Sequence, residues 1–280
     1  MATEVSKAGS KSKEVEGAKP DKEDELAGTE APLIEHLVEL RKRLIFSMIA
    51  LAVAMIGCFI IAQPIYNILL EPFRRAVGSD VDIELIYTAP QEYFFTQLNV
   101  AIFGALFIGF PVIAVQIYKF VAPGLYKNER KAFLPYLVAT PVFFLMGTAL
   151  VYFVVMPMAM GFFLSMQTDE IKMVAKVSEY LGLIMTLILA FGVCFQLPVV
   201  LTLLARIGLV SVDMLRKGRR YAIVAMLALA AFITPPDPIS QIGLAMPLLL
   251  LYEVAILSVR WVEKTRAAAE AAAGEEPSTP

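Results

Sequence analysis

The sequence predicts an all-α integral membrane protein, a bundle of six transmembrane helices. Three observations carry that expectation. Apolar residues make up 58% of the 280-residue chain and charged residues only 18%. The charges are gathered into clusters, and between them lie uncharged apolar runs at 44–62, 93–118, 132–168, 180–205, 221–236 and 238–252. A helical span needs about 20 consecutive apolar residues, so these runs are read as helices that cross a bilayer.

Residues 1–31 mix Lys, Glu, Asp, Ser, Gly and Pro without apolar periodicity and are expected to form a disordered cytoplasmic tail. The first apolar run follows about forty residues in and is too long for a signal-peptide core, while the acids before it argue against a transit peptide. The transmembrane domain is placed at 32–262. The 132–168 run is too long for one span at about 1.5 Å per residue. Pro157 followed by Gly161 is expected to divide it into a membrane helix and an amphipathic outer-surface segment that runs past Asp169. The fifth helix is expected to be short, because 221–233 spans only about 20 Å. Met214 and Leu215 would lengthen it only if Arg216–Arg220 snorkelled. Thr234-Pro-Pro-Asp-Pro238 joins it tightly to the sixth, and the Ala/Glu-rich 263–280 stretch reads as a second cytoplasmic tail.

Positive residues near helix ends are retained on the cytoplasmic side. Arg41, Lys42 and Arg43 precede the first run; Lys127, Arg130 and Lys131 separate the second from the third. Arg216, Lys217, Arg219 and Arg220 precede the fifth, and Arg260, Lys264 and Arg266 follow the sixth. Both termini are therefore expected inside. Pro111, Pro141, Pro157, Pro198 and Pro247 lie within or at the ends of the runs, where proline removes a backbone bond and tends to kink a helix. They read either as ordinary membrane-helix prolines or as the makings of a concave, bowl-shaped wall.

The chemistry of an enzyme is largely missing. His36 is the single histidine, and Cys58 and Cys194 both lie in predicted spans, so a His/Cys metal site or redox pair is not expected. Neither a phosphate-binding G-x-x-x-x-G-K-[ST] loop nor a G-x-S-x-G elbow occurs. The expectation is a non-enzyme with no cofactor and no nucleic-acid partner, energised by a partner or by the transmembrane potential. Glu129 stands out as the lone acid in 121–135, a stretch holding Lys127, Arg130 and Lys131. It can receive a cationic ligand or pair with those neighbours. A carboxylate accepts a guanidinium in bidentate fashion.

Five segments resemble one family in order. They are His36-Leu-Val-Glu-Leu-Arg-Lys-Arg43, Phe120-Val-Ala-Pro-Gly-Leu-Tyr-Lys-Asn-Glu-Arg130, Tyr152-Phe-Val-Val-Met-Pro157, Ala190-Phe-Gly-Val-Cys-Phe-Gln-Leu-Pro198 and Thr234-Pro-Pro-Asp237. Together, over 32–261, they are similar to TatC, the polytopic subunit of the twin-arginine protein translocase. The resemblance implies a bowl-shaped, six-helix receptor in the bacterial inner membrane. That receptor binds twin-arginine signal peptides of folded proteins, assembles with single-span TatB-type and TatA-type subunits in a multimeric complex, and contacts membrane lipid.

By the same resemblance Glu129 is the acceptor for the arginine pair, Phe120, Leu125 and Tyr126 line its site, and Glu39 contributes to docking. Thr234 and Gln241 resemble positions that touch the single-span subunits. Gln196 departs from the many members that carry glutamate there. An amide keeps an acceptor without a buried charge, and it equally suits an interhelical bond. The role of Glu253, inside the sixth run, stays open. A solute transporter and a ligand-free scaffold are the other readings; no internal repeat supports the first, and the second leaves Glu129 unexplained.

Overall fold

The structure, a computed structural model, describes residues 22–77, 85–121, 134–168, 174–233 and 238–274. It separates into two units, 1–42 and 43–280. In the first, the described backbone is helical from Lys22, where α1 (Lys22–Ile60) begins, ten residues inside the stretch read as a tail.

The second unit is built from helices: α2 (Ala62–Val77), α3 (Glu92–Val121), α4 (Leu134–Leu150), α5 (Met156–Ser165), α6 (Val177–Cys194), α7 (Leu197–Arg206), α8 (Val212–Ile233) and α9 (Pro238–Gly274). The described residues also hold one two-residue parallel pairing, β1 (Leu85–Ile86) against β2 (Ala175–Lys176), with Leu85 opposite Ala175. α9 carries the helix well into the stretch read as the second tail. Among the described residues, five helical stretches are long and apolar enough to cross a membrane: His36–Ile60, Glu92–Phe120, Pro135–Ser165, Val177–Arg206 and Leu244–Ala268.

Three sequence expectations change. First, the 132–168 run is not divided at Pro157. A π turn, Val151–Val155, closes with the Met156 N–H on the Val151 carbonyl, and α5 continues directly with Pro157 in its first turn. The extra residue of the π turn falls just ahead of the proline, in whose first-turn position a missing N–H costs little. Second, α8 starts at Val212, so the helix is not short; only its apolar part is. Its charged start is held by α9: Glu263 Oε1 accepts the Val212 N–H at 2.9 Å, and the Tyr252 hydroxyl donates to the Leu215 carbonyl at 2.8 Å.

Third, α2 was not foreseen. Its Tyr66, Leu69, Leu70 and Phe73 recur at helical spacing and are buried. The helix lies against α3 and α5. The Tyr152 and Tyr180 hydroxyls donate to the Ile68 and Leu69 carbonyls at 2.8 and 2.9 Å, and Phe73 meets Tyr180 edge-on at 5.0 Å.

α6 is the central helix of the second unit. Leu181, Ile184, Leu187, Ile188 and Phe191 are almost wholly buried. α4 approaches it closely because two glycines face it and are faced by it. A Cβ at Gly192 would collide with the Phe144 ring, and one at Gly147 would lie 2.7 Å from the Phe191 carbonyl oxygen. Small residues permit such close approach between membrane helices, where lipid competes on equal terms for apolar side chains.

Glu92 ties the ends of three elements together. Its Oε2 accepts from the Thr88 N–H at 2.8 Å and the Thr88 hydroxyl at 3.0 Å. Oε1 accepts from the Ser178 hydroxyl at 2.5 Å, with Lys176 Nζ at 3.8 Å. One carboxylate thus fixes the start of α3 to β2 and to the first turn of α6. Glu92→Ala strands these donors and should lower unfolding stability by about 1–3 kcal/mol. A thermal melt of the detergent-solubilised variant checks this, and an unchanged midpoint contradicts it.

Candidate functional site

The segment that carries Glu129, Leu125 and Tyr126 lies outside the described residues, as does Thr234. What the structure describes are the helices on either side of that segment. α3 ends at Val121 with Phe120 half-buried in its last turn, and α4 starts at Leu134. Below these ends α3, α4 and α7 meet in a small apolar cluster of Ala114, Tyr118, Val199 and Leu203, joined by Phe110, Tyr136, Leu137, Ala139 and Phe143.

Polar groups run through this cluster in a line. The Thr140 hydroxyl donates to the Tyr136 carbonyl at 2.9 Å. Its single proton is committed there, so the Tyr118 hydroxyl, 2.6 Å away, is the donor in the Tyr118–Thr140 bond. The Thr140 carbonyl in turn accepts from Gln196 Nε2 at 3.0 Å. Thr140 stands roughly 9 Å along α4 from its first residue, Leu134, at about 1.5 Å per residue.

Gln196 stands where it does because Pro198 interrupts the fourth span. Proline has no N–H to give the Cys194 carbonyl, and the helix turns through Phe195 and Gln196 before α7 resumes. The Gln196 N–H reaches back to the Val193 carbonyl at 2.9 Å, and its own carbonyl accepts from Val200 at 2.9 Å. Its side chain does not cap α7. It crosses to α4 instead.

Two carbonyl oxygens face one end of that amide, those of Thr140 at 3.0 Å and Gly192 at 3.4 Å. This end must be the NH2 group, since an oxygen there would meet two other oxygens. Both amide protons are thereby used. Oε1 is left buried with no partner among the described residues, on a residue only 8% exposed. Gln196 is therefore an interhelical tie and, at the same time, a free acceptor within the apolar interior.

The other candidate residues lie on α1 and α9. Glu39 lies on α1 in the first unit. Gln241, near the start of α9, is half-buried, with Nε2 3.5 Å from the Leu227 carbonyl of α8. Glu253 has a partner: Arg219 of α8 reaches its Oε2 at 2.8 Å, with both side chains about half exposed. Neither Tyr118 nor Thr140 was singled out in the sequence. Nothing in the pattern marks a hydroxyl at the end of an apolar run as more than an interfacial anchor. Among the described residues no cluster of His, Cys, Asp or Glu is arranged to hold a metal.

Residues 35–247 match the family model described as Sec-independent protein translocase protein (TatC). The chain belongs to the TatC family. It is 45% identical over 242 residues to the Sec-independent protein translocase protein TatC of Magnetococcus marinus, an alignment covering 86% of this chain and 89% of that protein. With the Escherichia coli (strain K12) TatC the identity is 36% over 230 residues, covering 82% and 88%. A crystal structure of the twin-arginine translocase receptor TatC superposes with a TM-score of 0.73 at 33% identity, covering 81% of this chain and 99% of that one. The Gln196 break, the apolar cluster and four of the five membrane-length stretches fall inside the range matched by the family model, and the fifth, Leu244–Ala268, only begins there.

Proposed function

We infer that the chain is the receptor and core subunit of a twin-arginine translocase, binding the twin-arginine signal peptides of folded proteins for export across the bacterial inner membrane. In this reading α8 is the fifth of six spans, crossing with its charged first turns held by α9, and both termini are cytoplasmic. Glu129 accepts the arginine pair, with Phe120, Leu125 and Tyr126 around it and Glu39 contributing from α1. Thr234 and Gln241, at the opposite ends of the last two spans, meet polar groups of TatB-type and TatA-type single-span subunits in a multimeric complex.

The observation that carries the reading is Phe120-Val-Ala-Pro-Gly-Leu-Tyr-Lys-Asn-Glu-Arg130, seated between α3 and α4 in a chain of this family. A lone carboxylate among Lys127, Arg130 and Lys131 suits a ligand that brings paired planar donors, and a guanidinium fits it better than an ammonium. Gln196 adds an acceptor deeper in the apolar region for a donor on the inserted part of the peptide.

Titrating purified, detergent-solubilised protein with a labelled twin-arginine peptide separates this reading from a solute transporter or a ligand-free scaffold. Saturable binding that drops when both arginines become lysines supports the receptor; no binding of either peptide refutes it. In the same assay Gln196→Leu should weaken binding by about 1–3 kcal/mol, the cost of an unmade buried hydrogen bond. Gln196→Glu, which keeps an acceptor and, when protonated, can still donate to the Thr140 carbonyl, should be tolerated or bind more tightly. Equal affinities for Gln, Leu and Glu would reduce the residue to packing.

A further inference from the structure

We propose that Tyr118 and Thr140 are positioning residues that hold Gln196 as an acceptor-only site, so that the receptor selects a hydrogen-bond donor on the segment inserted beside α7. The inference rests on the reading of Gln196 as an acceptor for the bound peptide and adds which residues create that property.

The turn of α4 that receives Gln196 is poorly held by its own backbone. Pro141 lies inside α4 and cannot donate to the Leu137 carbonyl, so one bond of the helical ladder is missing beside Thr140. Side chains brace the same turn at a neighbouring carbonyl. The Thr140 hydroxyl ties back to the Tyr136 carbonyl within the same turn, and Tyr118 of α3 donates to that hydroxyl from outside. Thr140 is 2% exposed and Tyr118 is 7% exposed, so no bulk water competes for either bond.

The carbonyl of this same residue takes one proton of the Gln196 amide, and the Gly192 carbonyl takes the other. With both protons engaged, Gln196 has nothing left to donate, and its Oε1 is buried without a partner among the described residues. An N–H or O–H group on an inserted segment satisfies that oxygen. A carboxylate or a bare carbonyl meets repulsion instead. If the Thr140 carbonyl shifts, the amide can rotate, and the site loses its preference for donors. Selectivity therefore lies in the tie to α4, and the tie lies in two hydroxyls.

The test is a double-mutant cycle read as signal-peptide affinity of the purified full-length protein. Tyr118→Phe and Thr140→Val keep the shape and remove one hydroxyl each. Each should weaken binding about tenfold in the native background, the equivalent of one hydrogen bond. In the Gln196→Leu background neither should weaken it further, and Thr140→Ser should restore native affinity.

Losses of the same size in both backgrounds would mean that the hydroxyls act only through packing, which overturns the proposal. So would a weakening by Gln196→Leu with none by Tyr118→Phe, while leaving Gln196 as an acceptor. No effect of Gln196→Leu at all would overturn the acceptor reading first and this inference with it. Thermal melts of all these proteins, run alongside, identify any variant whose loss reflects unfolding.

Discussion

Glu129→Lys should abolish crosslinking of a twin-arginine signal peptide. The wild-type carboxylate offers two oxygens to a guanidinium, and charge-assisted hydrogen bonds of that kind contribute about 1.5–3 kcal/mol each. The lysine removes them and adds a like charge to a stretch that already holds Lys127, Arg130 and Lys131. Two positive partners would then face a uniformly positive receptor. Membrane insertion should be unchanged, because the positive residues that set orientation remain. Peptide crosslinking to inverted membrane vesicles reads the first outcome, and protease protection of the loops reads the second. Native crosslinking by both Glu129→Lys and Glu129→Ala would remove Glu129 from the site.

The second large effect is structural. Gly147→Ala should already impair accumulation of folded protein, and Gly147→Val should prevent it. The added Cβ would lie 2.7 Å from the Phe191 carbonyl oxygen and 2.9 Å from Phe195 Cγ. Backbone cannot rotate out of the way as a flexible side chain can, so α4 and α6 must separate. Overpacking typically costs about 1–3 kcal/mol, and here the displaced helix is the central one, with Phe191 and Phe144 packed at the same contact. The separation would also draw the Thr140 carbonyl away from Gln196, since α4 carries one and the end of α6 leads to the other. Size-exclusion profiles and melting curves in detergent check the result. Native behaviour of Gly147→Val would mean that the α4–α6 contact is not as close as it stands.

The long apolar runs made α1, α3, α4 with α5, α6 with α7, and α9 legible in the sequence, because a bilayer imposes one simple requirement on composition. What was missed lies where that requirement does not apply. α2 mixes Gln63, Asn67, Glu71, Arg74 and Arg75 with its buried Tyr66, Leu69, Leu70 and Phe73, so a search for uncharged runs passes over it. Its 3.6-residue repeat was there to be read. α8 reads as short for the same reason: Arg216–Arg220 end the uncharged run, although Arg219 pairs with Glu253 and the backbone at Val212 and Leu215 meets Glu263 and Tyr252 of α9. Pro157 was over-read as a break, since a π turn one residue ahead of it absorbs the missing bond.

The site was legible to a different degree. Gln196 and Phe120 could be named from motifs, and the break beside Pro198 followed from the missing N–H. That two carbonyl oxygens face the Gln196 amide nitrogen could not be read, because one of them, Thr140's, is on a different helix, 56 positions away. Glu92 escaped for a similar reason: an acid at the head of an apolar run signals a helix start, while its bond to Ser178 joins residues 86 positions apart.

The central claim, that Glu129 receives the arginine pair, is tested most directly by coupling a change in the receptor to a change in the ligand. Affinities of wild-type and Glu129→Gln protein are measured for peptides carrying two arginines or two lysines. In the wild type, replacing the arginines should weaken binding at least about tenfold, or about 1.4 kcal/mol. In Glu129→Gln the same replacement should make almost no difference, because the group that distinguishes a planar fork from a point charge is gone. An arginine preference that survives undiminished in Glu129→Gln would place the recognition of the pair elsewhere in the chain.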